Sequence, residues 1–351
     1  MTNRSGISIP IFRHVNGLVT KAAEIKYHLP ILHILPVAPT THFQTMKTTL
    51  IQMTVLMLCG AGWRLFPQRG LSADQVRLAL TSVVYYFFLP AMVLEVLWKA
   101  DIGWQSLRYS ALASATILLG VVASWAVVRL FKFKDSQAGA LILATAFPNT
   151  TYLGLPVLEQ AFGPWSRSVV IQLDLFATAP LVYTLGIVLA RHYGSGDEEK
   201  PKSPLGFLNA PPFWAALVAV VLNLNHVPAP DWLTGLLQKM SASVAPLMIF
   251  SLGLALSWRA IRLRNLPFIT PIVVLRLLLL PWAAMHVADL VQLDEPFKAA
   301  AVLDLAMPSM LLGVVLCDRY RLDSSLYATA VTITTALSLF SLPFWFGVLS
   351  K

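Results

Sequence analysis

The stretch that most constrains this chain is Ala144-Thr-Ala-Phe-Pro-Asn-Thr-Thr-Tyr-Leu-Gly-Leu-Pro156. It lies in an apolar run, about Ser136 to Phe162, long enough to cross a bilayer. Yet Pro148, Gly154 and Pro156 interrupt that run, and Asn149, Thr150 and Thr151 form a polar cluster inside it. Proline removes a backbone donor and clashes with the preceding turn, so a helix breaks here. In hydrocarbon, broken backbone is tolerated only where protein or a water-filled cavity covers it. The stretch therefore reads as a discontinuous membrane helix wrapped around a polar site.

Composition supports a membrane setting. Hydrophobic residues make up 57% of the 351 residues and charged residues only 12%, against about 25% charged in soluble chains. The net charge of +9 reads as membrane topology rather than nucleic-acid binding, because the charges sit in loops between apolar spans. Cys59 and Cys317 both fall in apolar spans and form neither a disulfide framework nor a metal site. No nucleophile elbow, HExxH or Walker A motif is present, so neither an enzyme, a cofactor nor a metal is expected.

Residues 1–46 are expected to be a disordered or non-native tail, with Met46 as one candidate for the physiological start. From Thr48 onward the apolar pattern predicts ten spans, at about 48–66, 76–98, 107–131, 136–162, 167–190, 210–227, 232–257, 266–290, 297–317 and 325–349. The polar segment 194–209 is read as a cytoplasmic linker between two units, 47–193 and 210–351. Loops after the odd-numbered spans hold fourteen Lys and Arg, and the opposite side, excluding the tail, five; the tail's Arg4, Arg13, Lys21, Lys26 and Lys47 run against that orientation. Positive charge gathers on the cytoplasmic face, so both termini are expected outside a multi-pass cytoplasmic (inner) membrane protein.

The two units echo each other at their helix breakers. Pro90 and Pro246 lie in spans 2 and 7, Pro148 and Pro308 in spans 4 and 9, and Pro180 and Pro343 in spans 5 and 10. Pro90 to Pro148 is 58 residues and Pro246 to Pro308 is 62; Pro148 to Pro180 is 32 and Pro308 to Pro343 is 35. A five-helix unit has its ends on opposite sides of the bilayer, so a second copy is inserted upside down. The expected fold is all-α, with ten transmembrane helices in two inverted five-helix repeats, an architecture of secondary transporters.

If spans 4 and 9 are both broken, their half-helices offer free N–H groups and positive dipole ends. An anion is expected there, held by backbone amides near Pro148 and Pro308 and by Asn149, Thr150, Thr151 and Ser309. Charges inside spans are costly and are functional candidates by default. Asp174 and Asp304 are candidates to carry a coupling proton, to coordinate a cation, or to pair with Arg276 as an internal ion pair. Glu95 and Lys239 sit nearer span ends, where side chains snorkel. His286, Asp289, Trp98, Trp104, Trp258 and Trp345 read as interfacial.

Asn149-Thr-Thr-Tyr-Leu-Gly-Leu-Pro156, Ala245-Pro-Leu-Met-Ile-Phe-Ser-Leu-Gly253, Arg276-Leu-Leu-Leu-Leu-Pro281 and the Met307-Pro308 break resemble the auxin efflux carrier family, within the bile acid/arsenite/riboflavin transporter superfamily. The resemblance covers about Leu50 to Leu349, and the short linker is similar to that of bacterial members. Thr151 stands where the family signature usually has glycine, and Phe147-Pro148 adds a proline before the asparagine. The resemblance implies broken helices 4 and 9 that cross, a substrate at the crossing, and a transport domain moving against a scaffold that can supply a homodimer surface. It implies small organic anions as substrates and alternating access as mechanism. A sodium-coupled symporter of the bile acid carrier type is the alternative in the same superfamily, and an intramembrane enzyme acting on a lipid is the alternative from another class.

Overall fold

A computed structural model describes residues 39–63 (side chains from Ile51), 71–100, 102–194, 210–255 and 266–350. The tail reading for 1–46 lies outside these up to residue 38, the linker reading for 194–209 lies outside them from 195, and Trp258 lies outside as well. The chain divides into Met1–Gln44 and Thr45–Lys351. Of the first unit, residues 39–44 open a helix, and all that follows concerns the second.

The helices, in order, are α1 Pro39–Trp63, α2 Ala73–Trp98, α3 Trp104–Leu130, α4 Asp135–Ala146, α5 Leu155–Phe162 and α6 Ser166–Tyr193. Then come α7 Pro211–Leu224, α8 Asp231–Ala255, α9 Leu266–Leu290, α10 Phe297–Leu305, α11 Gly313–Arg319 and α12 Ser324–Leu349. Among the described residues all regular structure is helical except one β-bridge. Six helices, α2, α3, α6, α8, α9 and α12, are long and apolar enough to cross a membrane; α1 and α7 contribute shorter apolar stretches. This is an all-α membrane protein.

The prolines account for most of the irregularity. Wide π turns occupy Val84–Phe88, Thr150–Gly154, Asp174–Thr178 and Leu275–Leu279, and each ends two residues before a proline: Pro90, Pro156, Pro180 and Pro281. Proline cannot donate to the carbonyl four residues back, and its ring crowds that carbonyl. Stretching the local bond to five residues relieves the crowding, as in Leu89 N–H to Val84 O and Ala179 N–H to Asp174 O. Pro246 and Pro343 are instead carried inside regular helix, so matched prolines in the two units do not have matched backbone.

At Pro148 and Pro308 the helix stops altogether. Phe147 adopts extended geometry at φ −102°, ψ 116°, as the residue before a proline prefers. Span 4 thus becomes α4 and α5, and span 9 becomes α10 and α11.

Two groups of helices pack around these breaks. In one, α2 lies against α7 and α8, and α8 against α1, where Gly253 meets the Met57 carbonyl and Gly60 the Phe250 carbonyl. Any Cβ at either glycine would strike that carbonyl, so small residues set this helix spacing, as is common in membranes. In the other, α3, α4, α6, α9, α10 and α12 surround the two breaks. The wholly buried Leu143 belongs to one apolar core, and Leu155, Leu158 and Leu173 to a second that also takes in Met57 of α1, Met92 of α2 and Met248 of α8.

Two side chains depart from expectation. Trp98 and Trp345 are buried rather than interfacial, because each indole N–H finds a backbone carbonyl, Val227 at 2.9 Å and Leu277 at 2.7 Å. Cys59 is exposed, whereas Cys317 is buried. Trp104 and His286 are exposed, and Asp289 pairs with Lys298 at 2.6 Å.

Candidate functional site

The two breaks lie side by side and pair with each other. Asn149 N–H donates to Pro308 O at 2.9 Å, and Met310 N–H donates to Phe147 O at 3.1 Å, forming an antiparallel bridge between Pro148 and Ser309. Ser309 N–H donates to Thr334 Oγ1 at 3.3 Å. Broken backbone in an apolar interior must be satisfied somewhere, and here each break satisfies part of the other. Three of the amides near Pro148 and Pro308, those of Asn149, Ser309 and Met310, are therefore already engaged.

The carbonyl ends are closed by Arg276, which is fully buried. Its Nε donates to Met307 O at 2.9 Å, its Nη1 to Thr145 O at 3.1 Å and Ala146 O at 3.5 Å, and its Nη2 to Leu305 O. A single planar guanidinium thus caps the C-termini of both α4 and α10, the negative ends of two helix dipoles. Among the described residues Arg276 forms no ion pair with Asp174 or Asp304, because its donors face these carbonyls instead.

Asp174 sits at the start of the other half-helix. Thr150 Oγ1 donates to its Oδ1 at 2.7 Å and Thr151 Oγ1 to its Oδ2 at 2.6 Å. The threonines of the break thus hold a carboxylate supplied by α6. Asp304 is different: it is fully buried, and neither carboxylate oxygen has a protein hydrogen-bond partner. It rests against the bare Cα of Gly154, where a Cβ would collide with Oδ1. The Asn149 Nδ2 and Ser309 Oγ atoms are likewise buried and unpartnered.

A cavity of about 680 Å³ opens beside the bridge, within the usual range of small-molecule sites, about 300–1,000 Å³. Pro148, Asn149, Thr150, Thr151 and Asp174 line it, while Asp304, Arg276, Pro308 and Ser309 are not among the lining residues. Among the described lining residues Asp174 is the one carboxylate, and no Lys or Arg joins it.

Sequence reasoning missed four lining tyrosines, Tyr85, Tyr86, Tyr152 and Tyr183. Each lies in a π turn, Val84–Phe88, Thr150–Gly154 or Val182–Gly186. Asp174 and Arg276 lie in π turns as well. The available signal was a polar or aromatic residue within about one wide turn of a proline.

Far from the bridge, Arg167 at the start of α6 pairs with Glu159 of α5 and lies 3.7 Å from Glu95 of α2. Ser241 of α8 donates to Glu95 at 3.2 Å. Glu95 therefore does not snorkel to solvent; it enters an ion cluster joining the two helix groups. Lys239 is exposed.

The family profile described as "Membrane transport protein" matches residues 46–346. The chain belongs to the auxin efflux carrier family. It is 27% identical over 307 residues to an uncharacterized transporter of Methanocaldococcus jannaschii, covering 84% of this chain and 96% of that one. It is 24% identical over 311 residues to the uncharacterized transporter YfdV of Escherichia coli K12, covering 85% and 96%. A probable auxin efflux carrier component 5c of rice is 24% identical over 345 residues, covering 82% and 91%. This auxin efflux carrier family member is thus a membrane transporter, and its kinship points to transport rather than catalysis.

Proposed function

We propose that the protein is a secondary carrier that moves a small organic anion, a carboxylate, across the cytoplasmic membrane by alternating access. The observation that carries this reading is the cavity beside two paired helix breaks. Its lining draws on Thr81, Tyr183, Phe213 and Val315, in the parts of α2, α6, α7 and α11 that adjoin segments 64–72, 194–210 and 320–323. The Glu95–Arg167–Glu159 cluster lies at the other ends of α2 and α6. A cavity toward one side and an ion cluster fastening the other is the asymmetry that one state of an alternating-access carrier has. In this reading 47–193 and 210–351 are inverted five-helix repeats, both termini face outward, and the group holding the breaks moves against α1, α2, α7 and α8.

Asp174 bears on the energetics. An anion arriving beside it brings two like charges together, a cost removed when a proton travels with the substrate. A screen of the purified protein against small carboxylates by thermal shift identifies the substrate, because a ligand of the folded state raises its melting temperature. Uptake into proteoliposomes then tests the site. Asn149→Ala and Asp304→Ala are expected to abolish uptake while leaving folded protein, and wild-type rates in both would sink the assignment. The unpartnered Asp304 favours a second reading, in which a sodium ion rather than a proton accompanies the anion. Sodium dependence of uptake separates the two.

A further inference from the structure

Four helices are closed by a residue in the left-handed region: α3 by Lys132 at φ 51°, α7 by His226 at 52°, α9 by Gln292 at 55° and α11 by Arg321 at 55°. All four close in one way. After α3, Lys132 N–H donates to Arg129 O at 3.4 Å and Phe133 N–H to Val128 O at 3.2 Å. Glycine is the usual residue in this turn, because a Cβ is strained there. None of the four is glycine, and the two cations, Lys132 and Arg321, lie at the same end of the molecule. Asp323 N–H donates to Ser136 O at 3.1 Å, Gly194 meets the Tyr320 carbonyl, and Tyr193 and Leu322 flank Gly139. The ends of α3, α6 and α11 thus converge. Among the described residues this end carries six cations, Arg129, Lys132, Lys134, Arg191, Arg319 and Arg321, against Asp135, Asp318 and Asp323. Asp323 is occupied in capping α12, where it accepts from Leu326 N–H at 2.9 Å. Among the described residues Arg129, Lys132, Lys134, Arg191 and Arg319 form no ion pair. Apolar side chains stand out beside them: Trp125 is 47% exposed, Leu130 75% and Phe131 62%. Arg129 lies over the Trp125 ring at 5.6 Å, and Phe131 stacks on Phe133 at 6.1 Å.

We propose that the joined ends of α3, α6 and α11 bind an anionic phospholipid, with Lys132 and Lys134 on its phosphate and Trp125, Leu130 and Phe131 against its acyl chains. The inference rests on the membrane setting alone and is independent of the carrier reading. The gathering of Lys and Arg on one membrane face accounts for charge in these loops. It does not call for charge at a left-handed position that glycine fills without strain. Nor does it call for five cations without a carboxylate partner. An anionic headgroup supplies the missing countercharge at the depth where a span ends. The order of residues along the end of α3 fits a lipid better than a soluble polyanion. Trp125, Arg129, Leu130, Phe131 and Lys132 alternate rings and aliphatic groups with cations, so one face meets acyl chains while its charged tips reach the headgroup.

The test uses the full chain in nanodiscs of phosphatidylcholine and phosphatidylglycerol in equal parts. Native mass spectrometry of the released protein counts the lipids of each kind that it retains. Wild type is expected to keep phosphatidylglycerol in preference to phosphatidylcholine. Lys132→Gly preserves the left-handed turn and removes its charge. Combined with Lys134→Gln, it is expected to cut the preference at least about fivefold, the value of one charge at a lipid surface. Its melting temperature in phosphatidylcholine alone should match wild type, which separates lost lipid from lost fold. Gln292→Gly changes the equivalent turn at the opposite end and is expected to leave the preference as it was. An unchanged preference in the double variant, or none in wild type, would overturn the proposal. An equal loss in Gln292→Gly would overturn it too, by tracing the effect to the turn and not to the charge. Soluble polyglutamate is the second probe, added to protein in phosphatidylcholine alone. If it binds wild type but not the double variant, while both lipids are retained alike, the occupant is an acidic protein and the lipid is overturned. Transport enters none of these readouts, so their failure leaves the carrier reading standing.

Discussion

Replacing Arg276 by Met should unravel the junction between the broken helices before it affects anything else. The guanidinium is fully buried and serves the carbonyls of Thr145, Ala146, Leu305 and Met307. Two effects oppose. Removing a buried cation relieves its desolvation cost, and well-packed apolar replacements of buried ion pairs are sometimes neutral or stabilising. Here, however, the partners are backbone carbonyls that no side-chain substitution removes. The Ala146 contact at 3.5 Å is marginal, which leaves three carbonyls to be orphaned at about 1–3 kcal/mol each. Even the low end, about 3 kcal/mol in total, outweighs the relief expected from losing one charge already balanced by two helix ends. At an unfolding entropy of about 2.1 cal/mol/K per residue, a chain of 351 residues loses about 1.4 °C per kcal/mol, so the melting temperature should fall by about 4 °C at that low end. Lysine keeps the charge but lacks the planar fork, so Arg276→Lys should fall between Met and wild type. Differential scanning fluorimetry of the three proteins in one detergent measures the order. A Met variant that melts within a degree or two of wild type would refute the capping argument.

Further predictions follow from other contacts. Gly154→Ala places a methyl group against Asp304 Oδ1 and should cost about 1–3 kcal/mol; the double variant with Asp304→Ala should recover most of that in a thermal double-mutant cycle. Gly253→Leu, which drives a side chain into the Met57 carbonyl, should separate α1 from α8 and lower yield of folded protein in size-exclusion chromatography. With Cys59 and Cys317 replaced by Ser, cysteines at Glu95 and Arg167 joined by a short bifunctional reagent should block counterflow, and cleavage of the reagent should restore it; unimpaired counterflow in the linked protein would argue that this seam stays shut throughout.

The apolar segments and their interruptions were legible because both are local. Hydropathy marks a span, and a proline such as Pro148 stops a helix whatever surrounds it. What the sequence concealed was the destination of polar groups across the fold. Arg276 could be seen as a buried cation, but its acceptors lie 29 to 131 residues away in sequence. Asp174 read as a proton carrier, a cation ligand or a partner of Arg276, because its hydrogen-bond donors Thr150 and Thr151 sit on a different helix. The amides of Asn149 and Met310 looked free because each break was considered by itself, whereas each is spent on the opposite break. Tyr85, Tyr86, Tyr152 and Tyr183 were passed over as ordinary aromatics of apolar spans. Trp98 and Trp345 were misplaced for a related reason: nearness to a span end does not show which way an indole turns, and both turn inward to carbonyls.

The reciprocal bond between Asn149 N–H and Pro308 O, and between Met310 N–H and Phe147 O, is made wholly by peptide groups. A joint built that way is blind to most side chains that it carries. Residues beside it can be exchanged to suit a new cargo while the mortise that locks one half of the molecule to the other stays as it was. Kindred carriers can thus diversify what they move without reinventing how they hold together.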